Sequence, residues 1–403
     1  MPEISVRGLN MPESPIRKLA PLAASAKDRG IKVYHLNIGQ PDMPSPQCGL
    51  DALKHVDRKV LEYSPSQGYL SFRTKLVDYY KKYDINVTPD DIIITTGGSE
   101  AVMFAFMSCL NPGDEIIMPE PGYANYMAFA ISAGAKIQTI ATTIDEGFSL
   151  PKVEKFEELI NSHTRAIMIC NPNNPTGYLY TRREMNQIRD LCKKYDLFLF
   201  SDEVYREYIY TGSPYISAMH LKGIEQNTIL IDSVSKRYSE CGIRIGALIT
   251  KNEEVRKAVM KFCQCRLSPP LLGQIVAEAS LDAPQSYYSN VYDEYELRRK
   301  CLVDGLNRIP GAYSPIPMGA FYTVAKLPVD NAEKFCHWLL TDFNYEGETV
   351  MLAPAAGFYT TPGAGIDQVR LAYVLKRPDL KRALLILRKA LETYPGRKMT
   401  DDI

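Results

Sequence analysis

Residues 166–202 read AIMICNPNNPTGYLYTRREMNQIRDLCKKYDLFLFSD. AIMIC (166–170) and LFLFSD (197–202) are near-continuous apolar runs, the pattern of strands covered on both faces. Thr181-Arg182-Arg183-Glu184 is a capping-box string, in which a threonine caps a helix start and the glutamate three residues on bonds back to it. The amphipathic stretch that follows runs to Tyr195, so the segment reads strand, turn, helix, strand.

Outward from this unit the pattern repeats. DIIITT (91–96), EIIMP (115–119), KIQTI (136–140), TILIDS (228–233) and IGALIT (245–250) are further strand candidates. Glu100–Leu110 reads as a buried helix after Ser99, stopped by the turn Asn111-Pro112-Gly113-Asp114. Alternating strands and helices predict an α/β fold with a doubly wound, mainly parallel sheet. Ligands on such sheets bind beyond the carboxyl ends of the strands. The flanks differ. Residues 1–45 read as Pro-rich and irregular apart from a helix-like piece from Ser14 to Arg29, and the chain beyond about Tyr287 reads as helix-rich, with hairpin-like pieces at Ala320–Val324 and Val350–Leu352. The expectation is a large domain over 46–285 and a smaller α+β domain made from 1–45 and 286–403.

Composition narrows the function classes. The 403 residues carry 47 basic and 47 acidic side chains, a formal net charge of 0, which argues against a broad electrostatic grip on nucleic acid. The most apolar run, residues 101–110, is only ten long, against the ~18 of a membrane span. MPEISVRG at the start lacks the apolar core of a secretory signal. Nine cysteines without a CxxC pair suit reduced thiols in a cytoplasmic protein better than a disulfide framework. His35, His55, His163, His220 and His337 show no metal-binding spacing, and no metal is expected.

Four loop strings carry chemistry. Lys236, in SVSKR after the strand TILID, is placed to attack a carbonyl if it is partly desolvated and near a cation such as Arg244; a plain surface lysine is the alternative. Asp202 and Tyr205, just past LFLFS, can pair with a protonated ring nitrogen and a phenolic oxygen, or Asp202 can be an N-cap. Asn171-Pro-Asn-Asn-Pro-Thr-Gly177 is a turn whose Asn174 amide can orient a ligand, with Asn174–Pro175 a candidate cis bond. Thr95-Thr-Gly-Gly-Ser-Glu100 leads a strand through glycines into a helix, an anion cup rather than a dinucleotide or triphosphate motif. Taken together, Gly98, Ser99, Glu100, Ser233, Ser235 and Arg244 would hold a phosphate, Asp202 a ring nitrogen, and Tyr205 with Asn174 a ring hydroxyl. Lys236 would condense with an aldehyde, so the ligand these four strings describe is pyridoxal 5'-phosphate.

With these strings in hand, the chain resembles the class I aminotransferases of the aspartate aminotransferase family. NIGQPD (37–42), YSPSQGY (63–69), TTGGSEA (95–101), PGYANY (121–126), NPNNPTG (171–177), SDEVY (201–205), SVSKRYSECGIRIG (233–246) and VRLAY (369–373) occur in family order. The resemblance implies the pyridoxal-phosphate-dependent transferase fold of type I, with a three-layer αβα large domain on a seven-stranded sheet. It implies a homodimer with shared active sites and ping-pong amino transfer between an L-amino acid and a 2-oxo acid. It also implies roles: Lys236 as cofactor anchor and proton shuttle, Tyr123 as the ring stacked on the cofactor, Tyr63 as a phosphate ligand lent to the partner subunit, and Arg370 with Gly39 and Asn174 at the substrate α-carboxylate. An aspartate/2-oxoglutarate type is the leading expectation, ahead of aromatic or alanine specificity and of a carbon–sulfur lyase on the same scaffold. In one bacterial subgroup the lysine that marks dicarboxylate specificity directly follows the GG turn; here that position is Ser99, and Arg17 and Tyr123 are the remaining candidates for the substrate side chain.

Overall fold

The structure is a computed structural model that describes residues 2–212 and 214–398. Residues 1, 213 and 399–403, which the domain expectation includes, lie outside the described residues. In chain order the strands are β1 (Lys32–His35), β2 (Ile92–Thr95), β3 (Glu115–Glu120), β4 (Lys136–Ala141), β5 (Thr164–Cys170), β6 (Phe198–Asp202), β7 (Thr228–Ser233), β8 (Gly246–Ile249), β9 (Tyr322–Lys326), β10 (Glu348–Met351), β11 (Ala353–Pro354) and β12 (Gln368–Ala372). Each of the seven apolar runs read from the sequence falls on one of β2–β8. These form one sheet in the order β2-β8-β7-β6-β5-β3-β4, parallel throughout except for β8, which runs against both neighbours.

The runs are apolar at successive positions because both faces are covered. Ile116, Met118, Ala166, Met168, Phe200, Ile229, Ile231 and Leu248 turn to one side, where Ala101, Val102, Phe104 and Phe106 of the helix Gly97–Cys109 meet them. The alternate residues Ile117, Ile167, Ile169 and Leu199 meet Met185, Ile188 and Leu191 of the helix Arg182–Tyr195. Further along the same side, Ile92, Ile94, Leu230 and Ile249 pack with Phe72, Leu76, Tyr79 and Tyr80 of the helix Leu70–Lys81. This is the expected three-layer α/β arrangement. The helix Arg182–Tyr195 starts where the capping box places it: the Glu184 backbone N–H donates to Thr181 Oγ1 at 3.2 Å, and the Thr181 N–H donates to Glu184 Oε2 at 2.7 Å.

The flanks depart from the reading in three places. The first helix of the Ser14–Arg29 piece proper is Ala20–Asp28, and residues 1–45 contain a strand, β1, that the irregular composition hid. The pieces at 320–324 and 350–352 touch β9 and β10, but they are not hairpins. β10 pairs in parallel with β1, more than 300 residues earlier in the chain, and β9 pairs antiparallel with β12, which also pairs with β11. A short apolar run shows that a strand exists without showing its partner. Among the described residues no helix is long and apolar enough to cross a membrane.

Candidate active site

The carboxyl ends of β2, β5, β6 and β7 bring the four strings to one edge of the sheet, around a cavity of about 720 Å³. That volume suits a cofactor-sized ligand. Lys236 lies in the short helix Val234–Arg237 directly after β7. Its Nζ donates to the Gly39 carbonyl at 3.0 Å and lies 3.9 Å from Cys241 Sγ. Burial lowers the amine below its ordinary pKa; Arg370 and Arg244 push the same way, while Cys241 and Asp202 oppose. The approach of Gly39 requires glycine, because a Cβ there would stand 1.7 Å from Tyr322 Oη.

Asp202 ends β6. Its carboxyl is pushed up to about 6, burial being the main cause, although it accepts hydrogen bonds from Tyr126 Oη at 2.6 Å and the Val204 N–H at 3.3 Å. Three residues on, in the turn after β6, Tyr205 Oη accepts from Asn174 Nδ2 at 3.3 Å and shares a hydrogen bond with Tyr322 Oη at 3.1 Å. The peptide bond Asn174–Pro175 is cis, as are Asn171–Pro172 and Glu120–Pro121. The anion cup is built where expected. Gly98 and Ser99 open the helix Gly97–Cys109 at the cavity wall, and its unpaired N–H groups favour an anion. Arg244 faces them with its Nη1 donating to the Cys241 carbonyl at 2.9 Å. Ser233 Oγ lies 2.9 Å from Ser235 Oγ.

Arg370, on β12, reaches the same cavity from the smaller sheet. It is 1% exposed. Its Nη1 donates to Asn174 Oδ1 at 3.2 Å and its Nη2 to the Asn37 carbonyl. The guanidinium sits 4.7 Å from the Tyr322 ring and 5.1 Å from the Phe358 ring. Its Nε has no partner, and no carboxylate pairs with it among the described residues. Burial lowers its pKa. A buried cation without a counter-charge is costly, which suits this guanidinium to receive an anionic group. Tyr123 and Arg17 also line the cavity, and Asn125 Nδ2 donates to Tyr123 Oη at 2.9 Å.

Two expected residues stand elsewhere. The Glu100 side chain does not line the cavity: it accepts from the Thr96 N–H at 2.7 Å and lies 3.4 Å from Arg266 Nη1, so it serves the helix start and not the cup. Tyr63 is outside the cavity and 76% exposed in the single chain. The sequence reading in turn missed Tyr126, Tyr322, Asn37 and Gly97. Tyr126 was legible within PGYANY, and Gly97 adjoins Gly98. Asn37 was legible within NIGQPD, whereas Tyr322 carries no local signal, because its partner Tyr205 lies far away in the chain. The residues present fit pyridoxal phosphate group by group: an amine for its aldehyde, a carboxylate for its ring nitrogen, a phenol and an amide for its hydroxyl, and a cationic cup for its phosphate.

Fold and site together define a class: doubly wound α/β enzymes with a lysine-centred, anion-receptive cavity at the carboxyl edge of the sheet. Residues 31–377 match the family model "Aminotransferase class I and II", and the chain belongs to that family. It is a transaminase, from a family that uses pyridoxal phosphate. The aspartate aminotransferase of Pyrococcus horikoshii is 31% identical over 96% of this chain and 97% of that protein. The structure of Thermus thermophilus aspartate aminotransferase with maleate superposes with a TM-score of 0.88 at 26% identity, covering 97% of this chain and 100% of that one. The alanine aminotransferase of Pyrococcus furiosus gives 0.87 at 30% identity, over 96% and 99%.

Proposed function

We propose that this chain binds pyridoxal 5'-phosphate on Lys236 and moves the amino group of aspartate to 2-oxoglutarate. The observation that carries the reading is the buried guanidinium of Arg370, which no carboxylate pairs with among the described residues, in the same cavity as Lys236 and Asp202. When bound, the cofactor supplies the carbonyl that carries the amino group and the electron sink that stabilises charge at the substrate Cα.

The protein supplies the rest. The lowered pKa of Lys236 leaves a larger share of free amine near neutral pH, which suits first a nucleophile and then a base that takes and returns a proton at Nζ. Ionised Asp202 favours a protonated ring nitrogen by an opposite charge at close range, and Tyr126 holds the carboxylate in place. Tyr205 and Asn174 would hold the ring hydroxyl, Tyr123 would stack on the ring, and Gly98, Ser99, Ser233, Ser235 and Arg244 would take the phosphate. The fork of Arg370 binds an α-carboxylate in two places and so orients the Cα–H bond. Arg17, a second cation on the cavity wall without an ion pair among the described residues, supports a substrate with a second carboxylate, as does the named activity of the Pyrococcus horikoshii relative. The same reading takes 46–285 as the cofactor-binding domain, with 1–45 and 286–403 as the smaller domain, and a cytoplasmic homodimer as the working form.

A panel of amino donors against 2-oxoglutarate tests this. Aspartate is expected to give the highest kcat/KM. An alanine or aromatic donor about tenfold better would remove the aspartate assignment, and release of the donor nitrogen as ammonia with no glutamate formed would remove amino transfer.

A further inference from the structure

The segment Ser233–Lys236 gives two hydroxyls and the amine to the cavity. The residues on either side of it, Asp232 and Arg237, turn the other way, into the layer of the helix Leu70–Lys81. Asp232 Oδ2 accepts from Arg237 Nη2 at 2.7 Å and from Tyr80 Oη at 2.7 Å and forms an ion pair with Arg206 Nη1 at 3.2 Å, while its Oδ1 accepts from the Ser233 N–H at 2.8 Å. The Arg237 guanidinium lies 3.9 Å from the centre of the Tyr79 ring, and its Nε is 3.6 Å from Glu207 Oε1. Arg206 in turn meets Glu203 Oε2 at 3.4 Å. From the third side, Tyr208 Oη donates to the Lys236 carbonyl at 2.7 Å. Asp232, Arg206 and Arg237 are all buried, and none of them lines the cavity.

Stability alone is a weak reason for this cluster, since well-packed apolar replacements of buried ion pairs are often neutral or stabilising. What an apolar replacement would not reproduce is the geometry. The pair spans five residues and closes the turn like a clasp, with the cup serines and Lys236 on the outside of the bend. We infer that the Asp232–Arg237 pair, backed by Arg206, is a positioning device for the reaction: it fixes Lys236 Nζ and the hydroxyls of Ser233 and Ser235 relative to Asp202 and Arg244 without touching cofactor or substrate. This rests on the reading of Lys236 as the cofactor anchor.

The groups that act most strongly on the Lys236 amine are its burial, Cys241, Arg370, Arg244 and Asp202, and Arg237 is not among them. R237K keeps the charge, so a shift that it shares with R237M reports altered placement and not a lost neighbouring charge. The test compares wild-type holoenzyme with D232N, R237K and R237M. Four quantities are measured: the pH midpoint of the visible absorbance of bound pyridoxal phosphate, the affinity of the resolved apoprotein for pyridoxal phosphate, kcat and KM for both substrates, and the melting temperature of the apoprotein.

R237M and D232N are expected to move the midpoint upward by about half a pH unit or more, as a loosened turn lets water reach the nitrogen. Cofactor affinity should weaken about tenfold and kcat should fall about tenfold with KM nearly unchanged. R237K, which keeps the charge and is the mildest for folding, should show the same changes at smaller size. A midpoint and cofactor affinity at wild-type values in D232N and R237K would overturn the inference, whatever the melting temperatures do. A wild-type protein with no pH-dependent visible band would instead remove the anchor reading on which the inference stands.

Discussion

At Asp202 the burial that pushes the carboxyl up to about 6 is a folding cost that a cationic ring nitrogen would offset. Without that partner, ionisation penalises the folded state: the penalty is absent below roughly pH 4, grows as pH rises towards 6 and is complete above it. Asp202→Asn is therefore expected to stabilise the cofactor-free protein at pH 7.5 by up to about 3 kcal/mol, with little gain at pH 4. The same change should lower kcat of the holoenzyme by about 100-fold or more. Denaturant melts of apoprotein at the two pH values check the first half, and equal gains at both would remove the charge explanation. Arg370→Lys keeps a cation but loses the fork; kcat/KM for amino and oxo acids should fall together, by roughly 100-fold. Steady-state kinetics in both directions would show it, and an effect on one substrate alone would place the α-carboxylate elsewhere. Asp202, Tyr205, Asn174 and Lys236 were legible in sequence because each follows a strand end within a few residues. Tyr322 was not, because it meets Tyr205 across 117 residues.

In the glycine-to-helix turn, the residue that has to be glycine is the neighbour of the one that lines the cavity. The sequence reading put Gly98 in the cup, yet a Cβ there would meet only ordinary contacts, the nearest at 3.7 Å. Gly97 has φ +75°, and a Cβ on it would stand 2.3 Å from Arg244 Nη2. Gly97→Ala should therefore cost about 1–3 kcal/mol in the apoprotein and weaken phosphate-bearing ligands by displacing Arg244. Gly98→Ala should leave apoprotein stability within about 0.5 kcal/mol. The reverse order in denaturant melts would show that the shape of the turn depends on Gly98 and not on Gly97. Strand identity in the central sheet was legible because double-sided burial leaves unbroken apolar runs. The reversal of β8 and the pairing of β1 with β10 were not, since direction and partner depend on the path of the chain between strands and not on the strands' own residues.

At the scale of the whole molecule, the single chain leaves Val60, Leu61, Tyr63 and Leu70, close together in sequence, all exposed, as residues that an interface covers would be. Tyr63 stands outside its own chain's cavity, so its proposed role as a phosphate ligand requires a second subunit. In a symmetric dimer the exchange is reciprocal. A Tyr63→Phe subunit keeps its own Lys236, and in a mixed dimer it receives an intact Tyr63 from a Lys236→Ala partner. The site centred on the Tyr63→Phe subunit is then whole, while the other lacks both groups. Random reassortment of equal amounts should therefore restore about a quarter of all sites to wild-type turnover, well above the weighted mean of the two parents. Activity at that mean, in preparations where mass spectrometry confirms mixed dimers, would mean that each cavity is complete within one chain and that these exposed residues serve another contact.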